Sequence, residues 1–513
     1  MVNQLKAGAV LSYLSLFISS FISIVYTPIM LKLIGQSDYG IYSLATSATS
    51  YIGALMFLLG SAVIRYTSKY KSLADDERCS NLYGMFSVMY GVLGILALVL
   101  GVILILNVKY VFSNSLSIEE IHKLRIVIGI MVVSISLGIG LGFFSSIGLA
   151  HEKFIFQKVL GIVSSIINPL IMIPVFIMGY GVISMVIVTT LLNFITVLIN
   201  IYYCFRVLKI KITFKKFDLN LLKEITVFSF FIFLNLIVER IYWSTDQIIL
   251  GIYSGAISIS IYTIGASFSG YFSGLSAAIS NVFLSKVTGM VTKEVSDKEI
   301  SDLFIRVGRI QYIVISFALS GFLVLGQEFI NLWVGEAYNS SFLIAITLTI
   351  PMTVPLIQGI GGVILQAKNI QKFRTIVYFA IAIANILLSL LFVQWWGAIG
   401  CALATALAFT IGNIIIMNIY YWKKINIDIP KFWLNIIFMS APFVISLVTG
   451  LTINKLLVSE SWFIFVFKTI AFSMFYSLLM WFMGMNRYEK ELLIPIFKNV
   501  MQKIRTRKLY KIS

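Results

Sequence analysis

Apolar runs separated by charged or turn-rich breaks fill almost the whole chain. The pattern predicts fourteen helices, at approximately 7–30, 40–64, 82–106, 126–150, 159–178, 181–204, 225–250, 257–283, 310–330, 342–366, 374–393, 397–421, 433–453 and 462–484. Each holds about 20 or more residues, enough to cross roughly 30 Å of hydrocarbon. Within lipid every backbone polar group needs an internal partner, and these runs are too long for barrel strands. The expected fold class is therefore all-α: a polytopic membrane protein of about 14 transmembrane helices. The first run is too long for a signal-peptide core and lacks a clear small-residue cleavage site, so it reads as a retained first helix.

Charge adds an orientation. With the N-terminus inside, the inner breaks collect most of the 39 Lys and Arg residues, and the break after the sixth helix alone holds Arg206, Lys209, Lys211, Lys215, Lys216 and Lys223. Outer breaks keep Lys32, Lys109, Lys123, Arg125 and Lys455. The positive-inside rule then places both termini in the cytoplasm. The net charge of +18 is thus a topology signal facing an anionic leaflet, which excludes nucleic acid as the partner and leaves membrane lipids. The tail from Arg487 carries Leu492, Leu493, Ile496, Phe497, Val500 and Ile504 at helical spacing, the pattern of a basic amphipathic segment lying on the inner surface.

Cofactor and enzyme chemistry find little support. Cys79, Cys204 and Cys401 are isolated, His122 and His151 are the only histidines, and no phosphate-binding loop or nucleophile elbow is present. No metal or cofactor is expected. Asp38, in QSDYG, reads as a turn residue rather than a catalytic carboxylate. The triplet Asn339-Ser340-Ser341 is a formal glycosylation sequon of little weight.

The chain repeats itself weakly. GIYSLATSATSYIG at 40–53 matches SIYTIGASFSGYFS at 260–273, Lys153-Phe154 matches Lys372-Phe373, and INIYY at 199–203 matches MNIYY at 417–421. The offsets agree closely, which pairs the first six helices with the next six in the same orientation. The expected organisation is an N-lobe over 1–210, a C-lobe over 211–425, two additional helices within 426–484 and a tail over 485–513. Transporters with parallel repeats bind substrate near mid-membrane between their halves.

Ionisable residues inside an apolar helix mark the candidate site, because each costs about 2.5–3.5 kcal/mol near the bilayer centre. The seventh helix carries Glu239, Arg240 and Asp246, and Asn235, Glu239, Tyr242 and Asp246 share one face. Ser15, Ser19 and Tyr26 of the first helix occupy the repeat-related positions of Asn235, Glu239 and Asp246, on a face also bearing Ser12 and Ser23. Both faces are expected to line a central cavity. The competing reading is a buried ion pair that locks the seventh helix against a neighbour. Arg65 reads as a topology anchor or as the inner rim of the cavity. Lys468, inside the last helix, reads as a snorkelling side chain or a direct contact.

The stretches TPIMLKLIGQSDYGIYSLATS (27–47), TDQIILGIYSGAISISIYTIGASFSGYF (245–272) and LWVGEAYNSS (332–341) resemble the polysaccharide (O-antigen-type) flippases of the multidrug/oligosaccharidyl-lipid/polysaccharide (MOP) exporter superfamily. With the six-plus-six-plus-two arrangement, the resemblance spans nearly the whole chain. It implies two pseudo-symmetric six-helix lobes, MATE-like, plus two C-terminal helices around a central cavity. It further implies a bacterial inner-membrane protein of lipopolysaccharide or related polysaccharide biosynthesis. Such a protein carries undecaprenyl-pyrophosphate-linked oligosaccharide from the inner to the outer leaflet by alternating access, beside other polysaccharide-assembly proteins. In that picture Arg240 binds pyrophosphate or an acidic sugar, Glu239 or Asp246 binds a coupling proton or cation, and Lys468 borders a groove for the lipid tail. The alternatives are a lipid II flippase, a multidrug or small-molecule exporter of the same superfamily, and, more remotely, a membrane glycosyltransferase or polymerase.

Overall fold

A computed structural model describes residues 4–215, 218–457 and 461–492. All the secondary structure assigned within them is helical. In chain order the helices are α1 (Gln4–Ile34), α2 (Gln36–Gly53), α3 (Gly60–Ser72), α4 (Asp76–Phe112), α5 (Ile118–Leu141), α6 (Phe143–Ala150), α7 (Phe154–Ile177), α8 (Val182–Tyr202) and α9 (Leu219–Tyr253). They continue as α10 (Gly255–Val282), α11 (Leu284–Thr292), α12 (Asp297–Val334), α13 (Asn339–Ile357), α14 (Gly359–Ala367), α15 (Lys372–Phe409), α16 (Met417–Lys423), α17 (Ile429–Leu456) and α18 (Trp462–Leu479).

Among the described residues, eleven helices are long and apolar enough to cross a membrane, or twelve if α10 and α11, bent by 42° at Phe283, form one span. One of the eleven runs over Lys372–Lys423 and is 52 residues long, far more than a crossing needs. It reverses at Gly397, whose φ of 52° and ψ of −127° are non-helical, and so supplies two crossings. α9 adds a continuous helix of 35 residues. The polytopic all-α expectation therefore stands, with a count close to that read from the sequence.

Several predicted crossings are broken rather than continuous. The second is α2, a short 3₁₀ turn at Ala54–Phe57, and α3; the fourth breaks at Gly142 between α5 and α6; the tenth breaks at Gln358 between α13 and α14. Lys123 and Arg125, expected in an outer loop, sit instead in the first turns of α5. A capping box extends that helix: the Ser117 hydroxyl accepts from the Glu120 backbone, and the Glu120 carboxylate accepts from the Ser117 backbone. Asn339 opens α13, with Asn339 and Ser340 exposed and Ser341 fully buried.

The backbone carries the repeat more clearly than the side chains do. Among the described residues positive φ occurs at Gly35, Ala74, Glu152, Gly179 and Lys209, and again at Gly255, Glu294, Asn369, Gly397 and Asn426, with Gly335 alone having no counterpart in the first half. Gly35 and Gly255, with φ of 84° and 80°, lie 220 residues apart, as do Ala74 and Glu294, with φ of 52° and 50°. Ala74, Glu152, Glu294 and Asn369 all follow the same helix cap. In each case the next residue's N–H bonds a carbonyl five residues back, as in Asp75 to Tyr70 and Val295 to Met290. This Schellman closure explains how non-glycine residues tolerate the left-handed conformation.

The chain forms two compact units, one comprising the chain up to Gly265 with Tyr378–Ala408, the other Ala266–Val377 with the chain from Phe409 onward. In the first unit α4 lies along α5 and α1 along α7. Small residues set the α4–α5 distance. Gly94, Ala97 and Gly101 share one face of α4, and a Cβ on Gly101 would sit 2.1 Å from Val132 of α5. Close backbone approach of this kind, rather than water exclusion, drives helix association in lipid. A core around Tyr66, Phe86, Tyr90 and Phe143 extends to Cys204, Ile210 and Ile225. The segment that follows α8 is thereby pinned as far as Thr213, whose N–H donates to the Ser80 carbonyl at 3.1 Å. In the second unit α12 packs against α13, α17 and α18.

His151, in the turn between α6 and α7, has Lys71 Nζ 3.2 Å from Nδ1 and Tyr83 Oη 3.1 Å from Nε2. Burial, then the charges of Lys71 and Lys153, pushes its imidazole down to about 4. Against a free histidine near 6.5, the unfolded chain takes up this proton first. Stability is therefore full above about pH 6.5 and drains away as pH falls toward about 4. The melting temperature of purified protein should drop across that window, with a shallower slope in His151→Gln. An unchanged slope would assign the acid sensitivity to other groups.

Candidate functional site

Asp246 is the most fully engaged of the predicted site residues. It lies on α9, whose start is fixed by the Asp218 carboxylate accepting from Asn220 and Leu221 N–H at 3.0 Å. Its carboxylate is buried and receives three hydroxyls. Tyr262 of α10 donates to Oδ2, Thr405 donates to Oδ2 at 2.6 Å, and Ser389 donates to Oδ1 at 2.9 Å. The Asn385 side-chain oxygen closes the group, 3.1 Å from Ser389 Oγ and 2.9 Å from Thr405 Oγ1. The reversal at Gly397 assembles this set. Ser389 and Thr405 stand eight residues either side of it and come together when the two arms of α15 fold back. Asn385 and Ser389, four apart, share a face.

Proton counting shows what the cluster lacks. Three hydroxyls bring three protons, yet they make five close oxygen–oxygen approaches to Asp246 and Asn385. The Asn385 Nδ2 is buried and has no hydrogen-bond partner. A group composed largely of oxygens, with one formal negative charge and the Cys401 thiol beside Ser389, fits a bound proton or a hard monovalent cation. The residue types that hold zinc are missing. Among the described residues no three His, Cys, Asp or Glu side chains gather as metal ligands.

The end of α9 that carries Asp246 also touches the first helices of the chain. Tyr51 Oη lies 2.6 Å from Thr245 Oγ1, Ser50 Oγ lies 3.2 Å from Ser244 Oγ, and Ser115 donates to the Gly251 carbonyl. Beyond them α2 meets the start of α10 so closely that a Cβ on Gly40 would lie 1.9 Å from the Ala256 carbonyl oxygen. Ser244 and Thr245, which meet α2, and Asp246 are thus consecutive on α9.

The other predicted residues are placed as follows. Glu239 is exposed and Arg240 half-buried, and among the described residues neither has a hydrogen-bond or ion-pair partner. The competing reading, a buried ion pair that locks this helix against a neighbour, has no such pair at Glu239 or Arg240 among the described residues. Tyr242 meets Trp243 edge-on at 4.9 Å. The side chain of Asn235 falls outside the described residues. Ser15 is half-buried and Ser19 exposed on α1. Tyr26 stacks on Phe176 at 6.5 Å, and its hydroxyl is buried without a partner. Arg65 is exposed, its guanidinium 5.6 Å from the Tyr66 ring centre.

Lys468 corrects an expectation. It does not snorkel: it is buried in the second unit and pairs with both Glu328 oxygens, at 2.9 and 3.0 Å. The reason is a partner 140 residues away, which local sequence cannot reveal. Tyr262, Asn385, Ser389 and Thr405 were not anticipated as site residues. The available signal was the pair Asn385 and Ser389 at i, i+4 within an otherwise apolar run.

The fold is shared with known transporters. The chain is similar to a solved structure described as lipid II flippase MurJ in an inward closed conformation, with a TM-score of 0.70 and 18% identity over 92% of this chain and 98% of that one. It is also similar to an inward-facing multidrug resistance MATE family transporter of the MOP superfamily, with a TM-score of 0.66 and 13% identity over 81% and 94% of the two chains. For an outward-facing transporter of that description the TM-score is 0.57 and the identity 15%, over 84% and 97%. No curated protein matches the sequence. The likenesses are of fold, and they lie with transporters and flippases rather than enzymes. The family described as polysaccharide biosynthesis protein matches residues 5–284, more than half of the chain. This multi-pass membrane protein, built on the fold of MOP-superfamily transporters, therefore belongs to the polysaccharide biosynthesis protein family.

Proposed function

We propose that the protein flips an undecaprenyl-pyrophosphate-linked oligosaccharide, an O-antigen-type repeat unit, from the inner to the outer leaflet of a bacterial cytoplasmic membrane. The observation that carries this reading is the character of α9. An accessible Glu239 and a half-buried Arg240 lie mid-helix, and six residues further on Asp246 sits in a closed oxygen cluster. Six residues along a helix are about 9 Å, so a charged substrate site and an ion site share one rigid rod. Arg240 contacts the pyrophosphate, because a guanidinium fork matches phosphate oxygens. Asp246, with Tyr262, Ser389, Thr405 and Asn385, holds the coupling proton or cation.

The halves 1–210 and 211–425 act as the two lobes, 426–484 as an added pair, and both termini face the cytoplasm. Ser15, Ser19 and Tyr26 line the first half of the path, with Arg65 at its inner rim. The basic tail is expected to lie on the inner leaflet; from residue 493 it is outside the described residues.

The test is the leaflet distribution of lipid-linked oligosaccharide in a deletion strain carrying wild type or Arg240→Ala. Loss of the protein should trap the intermediate on the cytoplasmic side. Arg240→Ala should reproduce most of that block at normal protein level, a drop of at least about tenfold for a lost charge-assisted pair. Normal crossing without the protein would overturn the substrate and favour lipid II or a small molecule as the cargo. A block on deletion that Arg240→Ala does not reproduce would remove Arg240 from the substrate contact.

A further inference from the structure

The second unit contains two buried ion pairs that use the same helix. Arg309 and Glu328 both belong to α12, 19 residues apart, which is about 28 Å of helix and close to the thickness of the hydrocarbon core. At one end Arg309 meets Glu489 bidentately, Nε at 2.6 Å and Nη2 at 3.0 Å, and also donates to Asn435 Oδ1 of α17 at 3.1 Å. Glu489 is nearly inaccessible and is further held by the Asn486 backbone at 2.9 Å. Next to it the Arg306 guanidinium lies 4.6 Å from the Tyr488 ring centre. At the other end Glu328 receives Lys468 of α18, which also donates to Asn454 Oδ1 and to the Leu457 carbonyl.

Between these ends the same helices are joined by polar rungs. Tyr312 Oη lies 2.7 Å from Ser440 Oγ, Ser316 Oγ lies 2.7 Å from Tyr476 Oη, and Asn454 Nδ2 donates to the Val324 carbonyl at 3.0 Å. Gly450 of α17 packs onto Val324 so tightly that a Cβ there would be 2.8 Å from a valine methyl.

We infer that α17, α18 and residues 485–492 are a fixed strut on α12, locked at both ends by buried ion pairs, and stay attached to it throughout the transport cycle. Sliding or swinging the pair away would expose two ions to hydrocarbon at one end and two at the other. It would also strand the hydroxyls between them, where no water replaces the lost partners. Lys468 is then a positioning residue, not a contact for cargo. The inference holds whatever the cargo is.

The experiment has two readouts on purified full-length protein in lipid nanodiscs and in cells. Hydrogen–deuterium exchange should find α17 and α18 as slow as α12. Lys468→Met leaves the partly buried Glu328 unpaired, so it should lower the folded-to-unfolded ratio roughly 10- to 10²-fold, and Lys468→Met with Glu328→Leu should recover most of that loss. In a chain lacking the three native cysteines, a Val324→Cys/Gly450→Cys disulfide should leave surface saccharide at the level of the reduced form. Fast exchange in α17–α18, or transport lost on oxidation and regained on reduction, would overturn the strut. If deletion of the whole protein leaves surface saccharide unchanged, the failure lies in the assigned cargo, and the exchange and stability readouts alone decide.

Discussion

Asp246→Asn should abolish the ion dependence of transport and reduce flux by about 10²-fold or more, while leaving the protein folded. The size follows from what the carboxylate accepts. It takes three buried hydroxyl donors, and a hydrogen bond to a charged group contributes roughly 1.5–3 kcal/mol. The amide keeps the shape and can still accept from Tyr262 or Thr405. It removes the one negative charge that makes a proton or cation favourable among neutral oxygens. Asp246→Ala is the harsher change, since it strands the same donors, and should also cut the yield of folded protein.

Melting curves separate the two ions. A bound cation stabilises the native state in proportion to the logarithm of its concentration above Kd, so sodium at constant ionic strength should raise the melting temperature of wild type and not of Asp246→Asn. If a proton occupies the site, the melting temperature should follow pH instead and ignore sodium. The side-chain amide of Asn385 has two orientations. With its oxygen inward it supplies a ligand; turned, its Nδ2 hydrogens serve Ser389 and Thr405 and complete an empty-site network. Asn385→Leu should therefore weaken ion binding with less loss of fold than Asp246→Ala. Wild-type flux and wild-type ion response in Asp246→Asn would end the coupling assignment.

The crossings were legible because hydrocarbon imposes a length and leaves few exceptions. Charge placement at 239, 240 and 246 was legible for the same reason, since ionisable groups at mid-membrane require an explanation. Their surroundings were not. Ser389 and Thr405 reach Asp246 across 143 and 159 residues, and isolated hydroxyl residues are common in apolar helices. Lys468 and Glu328 show the same limit from the other side. Each looks like a stray charge near a helix end until the fold brings them together. The breaks within the second, fourth and tenth crossings also escaped, because hydropathy averages over a kink. The repeat was faint in side chains yet is plain in the backbone. Ala74 and Glu294 share no chemistry, but both terminate a helix in the left-handed conformation.

Gly40→Val should hold α2 away from the turn between α9 and α10 and impair transport more than its small size suggests. The position is early in α2, where a side chain favours the helix itself by up to about 1 kcal/mol over glycine. Any loss must therefore come from the contact. There the new Cβ meets backbone, with the Ala256 carbonyl oxygen at 1.9 Å, its carbon at 2.6 Å and Cα at 3.0 Å. Main chain cannot swing aside as a side-chain tip can, so either the helices separate or both shift, at a cost of about 1–3 kcal/mol or more. A cost at the upper end changes the population of the closed contact roughly 10²-fold. Separation would also open the Tyr51–Thr245 and Ser50–Ser244 pairs, both about three turns further along α2. In the proposed orientation this end faces outward, so Ser244→Cys should resist a membrane-impermeant thiol reagent beside Gly40 and react readily beside Val at position 40. Gly40→Ala should give an intermediate result. Equal labelling in the two backgrounds, with normal transport, would mean that the contact is dispensable.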